Sequence, residues 1–239
     1  MKFDNILLMI FFIFLISLVS YVFGSVNSSI IITKCFTKKD IRELGSGNAG
    51  FTNVLRSVNI LPAVLTFFGD FIKTFVAILV SRGIVGIVFL FFPTHGLVFQ
   101  NFFGECLGSF VTLISGFFVI LGHIYPCFFS FKGGKAIVCL LAFTLLYDFR
   151  VSLSALGVFI FVLIFSKIVS LASIVGTCSL PVFNFFICFV ADNKELSYAL
   201  ISTVFFVIVS VLVVYKHLGN IKRIKDKTEY KISFNKDKT

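Results

Sequence analysis

The run ILLMIFFIFLISLVSYVF, from Ile6 to Phe23, decides the fold class of this chain. It contains no charged residue and comes close to the roughly 20 residues that an α-helix needs to cross the hydrocarbon core of a bilayer. A secretory leader would end at a small-residue cleavage site of the A-x-A type. The run passes Phe23 without one, so it is predicted to be retained as a membrane span.

Segments of the same kind recur along the chain. Of its 239 residues, 58% are hydrophobic and 13% are charged, and the mean hydropathy is +1.06. These values exclude an ordinary soluble domain. We therefore expect an all-α, polytopic membrane helix bundle of about seven transmembrane helices, formed as a single domain over residues 1–239. The predicted spans are residues 6–28, 62–91, 106–125, 135–148, 150–166, 168–190 and 197–216.

Lysine and arginine are distributed unevenly between the segments that join these spans. If the N-terminus lies outside, the outer segments carry only Lys2, Arg82, Arg150 and Lys194. Positively charged loops remain on the cytoplasmic side, so this orientation is predicted, together with a basic cytoplasmic tail over residues 216–239. The net charge of +10 is then explained by orientation and by anionic lipid headgroups, and it does not indicate nucleic acid binding.

Two charged, glycine-rich segments interrupt the apolar sequence on the predicted cytoplasmic side. The first is DIRELGSGNAGFTNVLR, from Asp40 to Arg56. Its glycines permit the positive φ angles of an anion-binding backbone nest, and polar side chains and two arginines add donors for a phosphate group. The residues concerned are Gly45, Gly47, Gly50, Arg42, Ser46, Asn48, Thr52, Asn53 and Arg56.

The second segment is GHIYPCFFSFKGGK, from Gly122 to Lys135. Lys132-Gly133-Gly134-Lys135 is predicted to open the fourth span, where the N–H groups of a helix N-terminus and two ammonium groups favour an anion. The alternative is that these lysines only follow the charge bias of membrane topology. His123 is either a ligand of the substrate or a hydrogen-bonded interfacial residue.

Charged and polar residues also lie in other spans and in the tail. Asp70 and Lys73 share one helix face within the second span, where they either form a structural ion pair or face a polar interior. His217 and Asn220 lie three residues apart in the basic tail. The six cysteines show no CxxC pairing and are expected to be small buried hydrophobic residues, without a metal.

The order of these motifs resembles the PlsY family, bacterial membrane acyltransferases that use acyl-phosphate to acylate glycerol 3-phosphate. The resemblance covers about residues 20–230. It rests on Gly24-Ser25, the two glycine-rich segments, DxxK at Asp70 to Lys73, SLAS at Ser170 to Ser173 and HxxNIxR at His217 to Arg223. It implies a seven-helix fold in the bacterial inner membrane, an active site facing the cytoplasm, lysophosphatidate as product and no cofactor. Membrane lipids and the enzyme that produces the acyl-phosphate are the implied partners.

The chemistry of that reaction agrees with the residues present. An acyl phosphate is a mixed anhydride, so the enzyme needs no covalent nucleophile. It must hold two anions together and stabilise a developing oxyanion. The resemblance assigns catalysis to His217, Asn220 and Lys135, and the proton of the attacking hydroxyl passes either to His217 or to a phosphate oxygen of a substrate. The predicted substrate-binding residues are Ser25, Arg42, Ser46, Gly47, Asn48, Thr52, Asn53, Arg56, Asp70, Lys73, His123, Lys132, Gly133, Gly134, Ser173 and Arg223.

Several positions depart from the usual pattern of the family, and the outer loop between Arg82 and Cys106 is longer than usual. The residues concerned, with the usual residue in parentheses, are Asn27 (Pro), Phe51 (Ala), Thr74 (Gly), Ala136 (Gly) and Leu218 (Arg). Bulk at Phe51 and Ala136 would crowd a phosphate-binding backbone. Two alternatives to the enzyme remain at this stage: a transporter for an anionic phosphate metabolite, and a catalytically weak paralogue.

Overall fold

In the computed structural model, residues 3–91, 96, 97, 100 and 104–232 are described, and all regular structure within them is helical. The chain divides into two compact units, Met1–Tyr147 and Asp148–Thr239. Each unit is a bundle of apolar helices. Residues 92–95, 98, 99 and 101–103 of the predicted long outer loop lie outside the described residues.

The first unit is built around two long apolar helices. Its helices are α1 (Phe3–Ser25), α2 (Ser28–Thr37), α3 (Phe51–Ser57), α4 (Ile60–Phe91), α5 (Leu107–Ile124) and α6 (Ile137–Tyr147). Helix α1 packs mainly against α5, and α4 contacts every other helix of the unit. Asn27 ends the break between α1 and α2 by capping α2, because its Oδ1 accepts the N–H of Ile30 at 3.2 Å.

Helices α1 and α5 approach each other so closely that only glycine fits at two contacts. A Cβ atom on Gly24 would lie 2.3 Å from the carbonyl oxygen of Val119, and one on Gly122 would lie 2.3 Å from that of Tyr21. Small residues allow membrane helices to pack backbone against backbone. Close packing of α1 and α5 therefore explains why glycine stands at Gly24 and at Gly122.

Three buried serines connect α1, α4 and α5 within the apolar part of this unit. Ser20 Oγ lies 2.8 Å from Ser115 Oγ and 3.1 Å from Ser81 Oγ, and Ser81 Oγ donates to Ser115 Oγ at 3.1 Å. Hydrogen bonds of this kind contribute to helix association in a bilayer, where water does not compete. The three serines therefore hold the three helices together at one level.

The second unit consists of α7 (Phe149–Ser166), α8 (Val169–Phe185), a π-helical turn (Phe186–Ala191), α9 (Leu196–Lys216) and the short α10 (Leu218–Lys225). Helix α8 packs against both α7 and α9. Arg150 joins two ends of this unit, because its guanidinium contacts the carboxylates of Asp148 and Asp192, each at 2.6 Å.

Within the described residues, six helical segments are long and apolar enough to cross a membrane. They are Ile6–Thr37, Ile60–Phe91, Leu107–Phe129, Phe149–Ser166, Val169–Ala191 and Leu196–Lys216. The all-helical, polytopic membrane fold is thus confirmed. The predicted fourth span is different: α6 begins at Ile137 instead of Lys135 and has 11 residues. At 1.5 Å per residue it is about 16 Å long, so a count of seven spans stays a prediction, as does the orientation of the termini.

Candidate active site

Asn53 determines the shape of the first glycine-rich loop. Its side chain is buried, and its Oδ1 accepts the N–H of Ser46 at 3.0 Å and the hydroxyl of Ser57 at 3.2 Å. Its Nδ2 donates to the carbonyl oxygens of Ile41 at 3.2 Å and Leu44 at 2.9 Å. The amide is therefore fully used within the protein, so Asn53 forms the loop, and a phosphate contact from it stays a prediction.

The glycines of this loop play different parts. Gly45 and Gly47 have φ angles of 54° and 71°, the left-handed region that glycine adopts at little cost. Gly50 has a φ angle of −167°, which is extended backbone open to any residue, so the prediction of positive φ was wrong there. The N–H of Gly47 donates to the carbonyl oxygen of Leu44, which stabilises the turn.

Polar groups of the loop remain exposed to a ligand. Ser46 is exposed, and Asn48 and Thr52 are half-buried. In the described part of the chain, the backbone N–H groups of Asn48 and Thr52 have no protein acceptor. Arg56 is an exposed residue of α3, so its cation lies at the surface close to this loop in the sequence.

Arg42 connects the first loop to the second. Its Nε and Nη2 contact the carboxylate of Asp40, at 2.7 Å for the closest pair, and its Nη1 donates to the carbonyl oxygens of Phe129 at 2.8 Å and Lys132 at 3.3 Å. The hydrogen bond from Arg42 holds the pKa of Asp40 below its ordinary range. Arg42 thus links the two loops by hydrogen bonds, and a phosphate contact from its guanidinium stays a prediction.

The second loop is not the start of a helix. Lys132 to Ala136 are irregular, and the N–H groups of Gly133 and Gly134 donate to the carbonyl oxygens of Ile124 and His123, each at 3.2 Å. Both amides are therefore bonded within the protein, and phosphate binding by Gly133 and Gly134 stays a prediction. The glycines are needed for space, because a Cβ atom on Gly133 would collide with the carbonyl oxygen of His123.

Gly134 lies where the two loops touch. A Cβ atom placed on it would be 2.3 Å from the carbonyl oxygen of Ala49 in the first loop and 2.4 Å from Nε2 of His123. Lys132 is exposed and Lys135 is half-buried on either side of this contact. The contact therefore brings the ammonium-bearing loop against the loop that carries Ser46 and Asn48.

A buried ionic cluster lies behind the second loop. Lys73 Nζ is 2.8 Å from Asp70 Oδ1, 3.0 Å from His123 Nδ1 and 2.7 Å from the carbonyl oxygen of Val26. The structural ion pair between Asp70 and Lys73 is thus confirmed, and His123 is a buried hydrogen-bonded residue. None of these contacts requires a substrate, so binding roles for Asp70, Lys73 and His123 remain predictions.

The same cluster has one feature of a metal centre. One potential ligand atom each from Asp70, His123 and Cys139 lies within 4.8 Å of the others. The ammonium of Lys73, however, contacts the first two of these at 2.8 Å and 3.0 Å. A divalent cation in that place would repel the lysine at close range, so the residues do not fit a metal and the lysine supplies the positive charge.

In the second unit, the tail motif is organised by a glutamate. Glu229 Oε1 accepts from Ser170 Oγ at 2.8 Å and from Asn220 Nδ2 at 2.6 Å, and Oε2 accepts from Arg223 Nε at 2.6 Å. Burial alone would raise the pKa of Glu229, but these hydrogen bonds lower it below its ordinary value. Glu229 received no role in the sequence analysis, because charges in a basic tail usually face solvent.

His217 occupies the junction between α9 and α10. It is buried, and its Nδ1 donates to the carbonyl oxygen of Val213 at 2.8 Å. In the neutral ring, Nε2 then carries the lone pair and is the nitrogen that accepts a proton. This geometry suits either of the two predicted roles of His217, positioning and general base.

Two predicted serines donate to carbonyl oxygens of their own helices. Ser25 Oγ donates to the carbonyl oxygen of Tyr21 at 2.8 Å and accepts the N–H of Cys127 at 3.4 Å, so it links α1 to the second loop. Ser173 Oγ donates to the carbonyl oxygen of Val169 at 2.9 Å. Substrate binding by either serine stays a prediction.

Comparison with known proteins agrees with this arrangement. Residues 14–227 match the family model described as glycerol-3-phosphate acyltransferase. The chain belongs to the glycerol-3-phosphate acyltransferase family. It is similar to the glycerol-3-phosphate acyltransferase of Prochlorococcus marinus (strain MIT 9312), with 36% identity over 92% of this chain and 98% of the relative. It is also similar to that of Clostridioides difficile (strain 630), with 34% identity over 95% and 99%.

Two solved structures share the fold of this acyltransferase. Both are crystal structures of PlsY (YgiH), an integral membrane glycerol 3-phosphate acyltransferase. The glycerol 3-phosphate form matches with a TM-score of 0.70 at 29% identity, covering 92% of this chain and 96% of the other. The lysophosphatidic acid form matches with a TM-score of 0.68 at 28% identity, over 92% and 95%. The PlsY resemblance is therefore confirmed.

The departures from the family pattern are accommodated in different ways. The ring of Phe51 packs edge-on against Phe67 of α4, with ring centroids 6.0 Å apart. Thr74 Oγ1 donates to the carbonyl oxygen of Asp70 at 2.9 Å. Ala136 is buried with a φ of 60°, which costs an L-residue about 1–2 kcal/mol and accounts for the glycine that this acyltransferase family usually has there. Leu218 is exposed, so the missing arginine leaves no buried gap.

Proposed function

We propose that this chain transfers a fatty acyl group from acyl-phosphate to glycerol 3-phosphate, giving 1-acyl-glycerol 3-phosphate and phosphate. The observation that carries the proposal is the contact at Gly134, which holds a cationic loop against a loop of exposed donors. Two anionic substrates need such a surface, with cations and N–H groups close together. The names of the relatives and the two forms of PlsY that were crystallised support the acylation of glycerol 3-phosphate in this reaction.

An acyl-phosphate donor is supported by the chemistry of the residues. Glycerol-3-phosphate acyltransferases of other types carry His-x4-Asp, and neither His123 nor His217 has an aspartate five positions on. Asp70, which lies 3.6 Å from Nδ1 of His123, is paired with Lys73. A mixed anhydride has a good leaving group and needs alignment more than a strong base, which matches this inventory.

Within the first unit we assign the phosphate contacts to five side chains. Ser46, Asn48, Lys132 and Lys135 belong to the two loops that meet at Gly134, Arg56 lies on the helix that follows the first loop, and the N–H groups of Asn48 and Thr52 add neutral donors. Arg42 and Asn53 hold the loops in place. Their side chains belong to the framework of this proposed site, because their hydrogen bonds go to the protein.

For the second unit the proposal rests on the HxxNIxR motif and on the geometry of His217. With Nδ1 donating to Val213, Nε2 of His217 is suited to accept a hydrogen bond or a proton from the primary hydroxyl of glycerol 3-phosphate. Asn220 and Arg223 contact Glu229, so we assign them to supporting that histidine and its helix.

We further propose that the reaction faces the cytoplasm of a bacterial cell, at the inner membrane. The support is the charge asymmetry of the sequence, which favours an outside N-terminus and a cytoplasmic C-terminus. Membrane lipids then surround the helices, and the enzyme that produces acyl-phosphate is the natural partner on the same side.

Purified protein with palmitoyl phosphate and radiolabelled glycerol 3-phosphate tests the proposal. We expect labelled lysophosphatidate from palmitoyl phosphate and none from palmitoyl-coenzyme A. Arg56→Ala and Lys135→Ala should each lower activity at least tenfold, since a lost hydrogen bond between charged groups is worth about 1.5–3 kcal/mol. Lys39→Ala, an exposed lysine outside the proposed phosphate contacts, is the matched control.

Other outcomes lead to other functions. Uptake of labelled glycerol 3-phosphate into proteoliposomes without product would indicate a transporter, and saturable binding without product would indicate a catalytically inactive paralogue. If both variants keep activity within twofold of the wild type, Arg56 and Lys135 serve only membrane topology.

A further inference from the structure

Arg82 is a cation within the membrane-spanning helix α4, and its partners in the described part of the chain are neutral. Its Nε and Nη2 donate to Thr112 Oγ1 of α5 at 3.0 Å and 2.8 Å, and Nη2 also donates to the carbonyl oxygen of Leu146 at 3.0 Å. Among the side chains that the structure describes, no carboxylate forms an ion pair with this guanidinium. Ionised side chains within membrane spans are costly and are usually paired, so a counter-charge is expected from a bound molecule.

These contacts leave one nitrogen of the guanidinium available to a ligand. An arginine side chain has five N–H donors in a rigid fork. The hydrogen bonds to Thr112 and Leu146 use Nε and Nη2, and Nη1 donates to no group within the described ranges. Because α5 and α6 each hold the fork, the donors of Nη1 are oriented before a ligand arrives. Such donors suit an oxygen of a phosphate or carboxylate group.

A groove of about 530 Å³ lies beside Arg82, between α4 and α5. Its volume is within the range of sites for small molecules, roughly 300–1,000 Å³. The apolar side chains that line it are Val85 and Phe89 from α4 and Leu107 and Val111 from α5. A small anion from water gains nothing from such walls, whereas the glycerol and the first methylene groups of a lipid can be buried against them.

Two glycines keep this groove open. Gly86 of α4 and Gly108 of α5 line it, and a Cβ atom on either would meet no neighbouring group of the described residues within 4 Å. The glycines at the contact of α1 and α5 differ, because a Cβ atom on Gly24 or Gly122 would collide with backbone. Helix packing therefore does not account for Gly86 and Gly108, and the space next to them is available to a ligand.

The position of Arg82 along the helices matches the level of a lipid headgroup. Thr112 lies about 8 Å along α5 from its first residue, Leu107, and Leu146 is the penultimate residue of α6. Both helices therefore end near the guanidinium. The two glycine-rich loops precede α4 and α6, whereas Arg82 lies about 33 Å along α4 from Ile60, so the groove is at the opposite end of this unit.

We infer that Arg82 and the groove between α4 and α5 bind a membrane phospholipid. The guanidinium binds the phosphodiester group, and the glycerol and the upper part of one acyl chain lie against Val85, Phe89 and Val111. A bilayer supplies this anion at the level where the helices end, and a phosphate pairs well with an arginine. The site is separate from the proposed active site, and the predicted orientation assigns it to the outer leaflet.

Photo-crosslinking with a defined lipid tests this site. The probe is phosphatidylglycerol with a diazirine near the top of one acyl chain, added to delipidated protein in maltoside detergent. Mass spectrometry of peptides should locate its adducts in residues 82–91 and 107–111. Unlabelled phosphatidylglycerol should displace the probe, whereas diacylglycerol, inorganic phosphate and oleate should each require at least tenfold higher concentrations. Equal displacement by any of these three overturns the inference, as do adducts that are not enriched in the two segments.

Two variants separate the cation from the groove. Arg82→Gln removes the charge and keeps an amide beside Thr112, and Gly86→Leu fills the groove while the arginine remains. Each should raise the probe concentration for half-maximal labelling of the two segments at least tenfold. Gly157→Leu is the matched control at another exposed helical glycine with open space around its Cβ position, and it should stay within twofold of the wild type.

Thermal unfolding of each preparation shows whether the variants are folded. Should Arg82→Gln fail to insert, Gly86→Leu still decides the question, because it leaves the contacts of the guanidinium in place. Undiminished labelling of folded Gly86→Leu overturns the role of the groove. Undiminished labelling of folded Arg82→Gln overturns the role of the cation.

Discussion

Replacing Asn53 by alanine should separate the shape of the first loop from the chemistry of its exposed groups. The buried Asn53 amide makes four hydrogen bonds, of which three are to backbone groups: the N–H of Ser46 and the carbonyl oxygens of Ile41 and Leu44. Asn53→Ala leaves these three backbone groups without their partner while it removes no group that faces a substrate. Any loss of activity then reports on the geometry of the loop.

The size of the effect follows from those contacts. A hydrogen bond contributes about 1 kcal/mol net, so three lost backbone contacts amount to roughly 3 kcal/mol of loop stability. At about 1.4 kcal/mol per factor of ten, this limits the fall in kcat/KM to about a hundredfold, and we expect at least a tenfold fall. Ser57→Ala removes only the bond of 3.2 Å between Ser57 Oγ and Asn53 Oδ1, so it should cost less than a factor of five.

The assay is lysophosphatidate formation at varied glycerol 3-phosphate, with thermal unfolding measured on the same preparations. We expect a raised KM for Asn53→Ala and a small change in the melting temperature of the whole protein, because the loop is peripheral to the helix bundle. Kinetic constants within twofold of the wild type would refute the reasoning. So would a loss equal to that of Ser57→Ala.

Two further predictions concern the tail and the topology. The folded-state pKa of Glu229 is lowered, so its contribution to stability is present above its ordinary pKa of 4.5 and is lost as the pH falls below that value. The difference in melting temperature between the wild type and Glu229→Gln should therefore be constant from about pH 6 to 8 and shrink below about pH 4.5. A difference that grows on acidification would contradict this prediction. In a cysteine-free background, single cysteines at Ser46, Lys132 and Lys225 should all be protected in intact cells from an impermeant thiol reagent, and labelling of any one of them from outside overturns the predicted orientation.

The sequence was sufficient for the class of fold and for the location of the loops. Long apolar runs predict membrane helices because, inside a bilayer, a helix is the structure in which a single segment satisfies its own backbone hydrogen bonds. The exception was α6, where the run of apolar residues did not reveal that the residues from Lys132 to Ala136 are irregular. Glycine ahead of an apolar run is compatible with a helix start and with an extended loop alike.

The uses of individual polar groups were not readable from the sequence. A glycine can leave its N–H exposed, or it can make room for a neighbouring chain. At Gly133 and Gly134 the folded structure shows that carbonyl groups of neighbouring segments pack against them, which the sequence does not reveal. Arg42 is similar, since the carbonyl oxygens that it binds belong to residues almost ninety positions away. Glu229 lies in a basic tail, and only the folded chain brings Ser170 to it.

The close approach of α1 and α5 restricts how lipids reach the first unit. At Gly24 and Gly122 the backbones of the two helices are in direct contact, and there is no space between them for a methyl group. A fatty acyl chain is several times wider than that gap and cannot pass through it. Any sideways exchange of lipid with the bilayer must therefore use another face of the bundle, and lipid crosslinking groups placed along the α1–α5 seam should capture only lipids that lie on its outer surface.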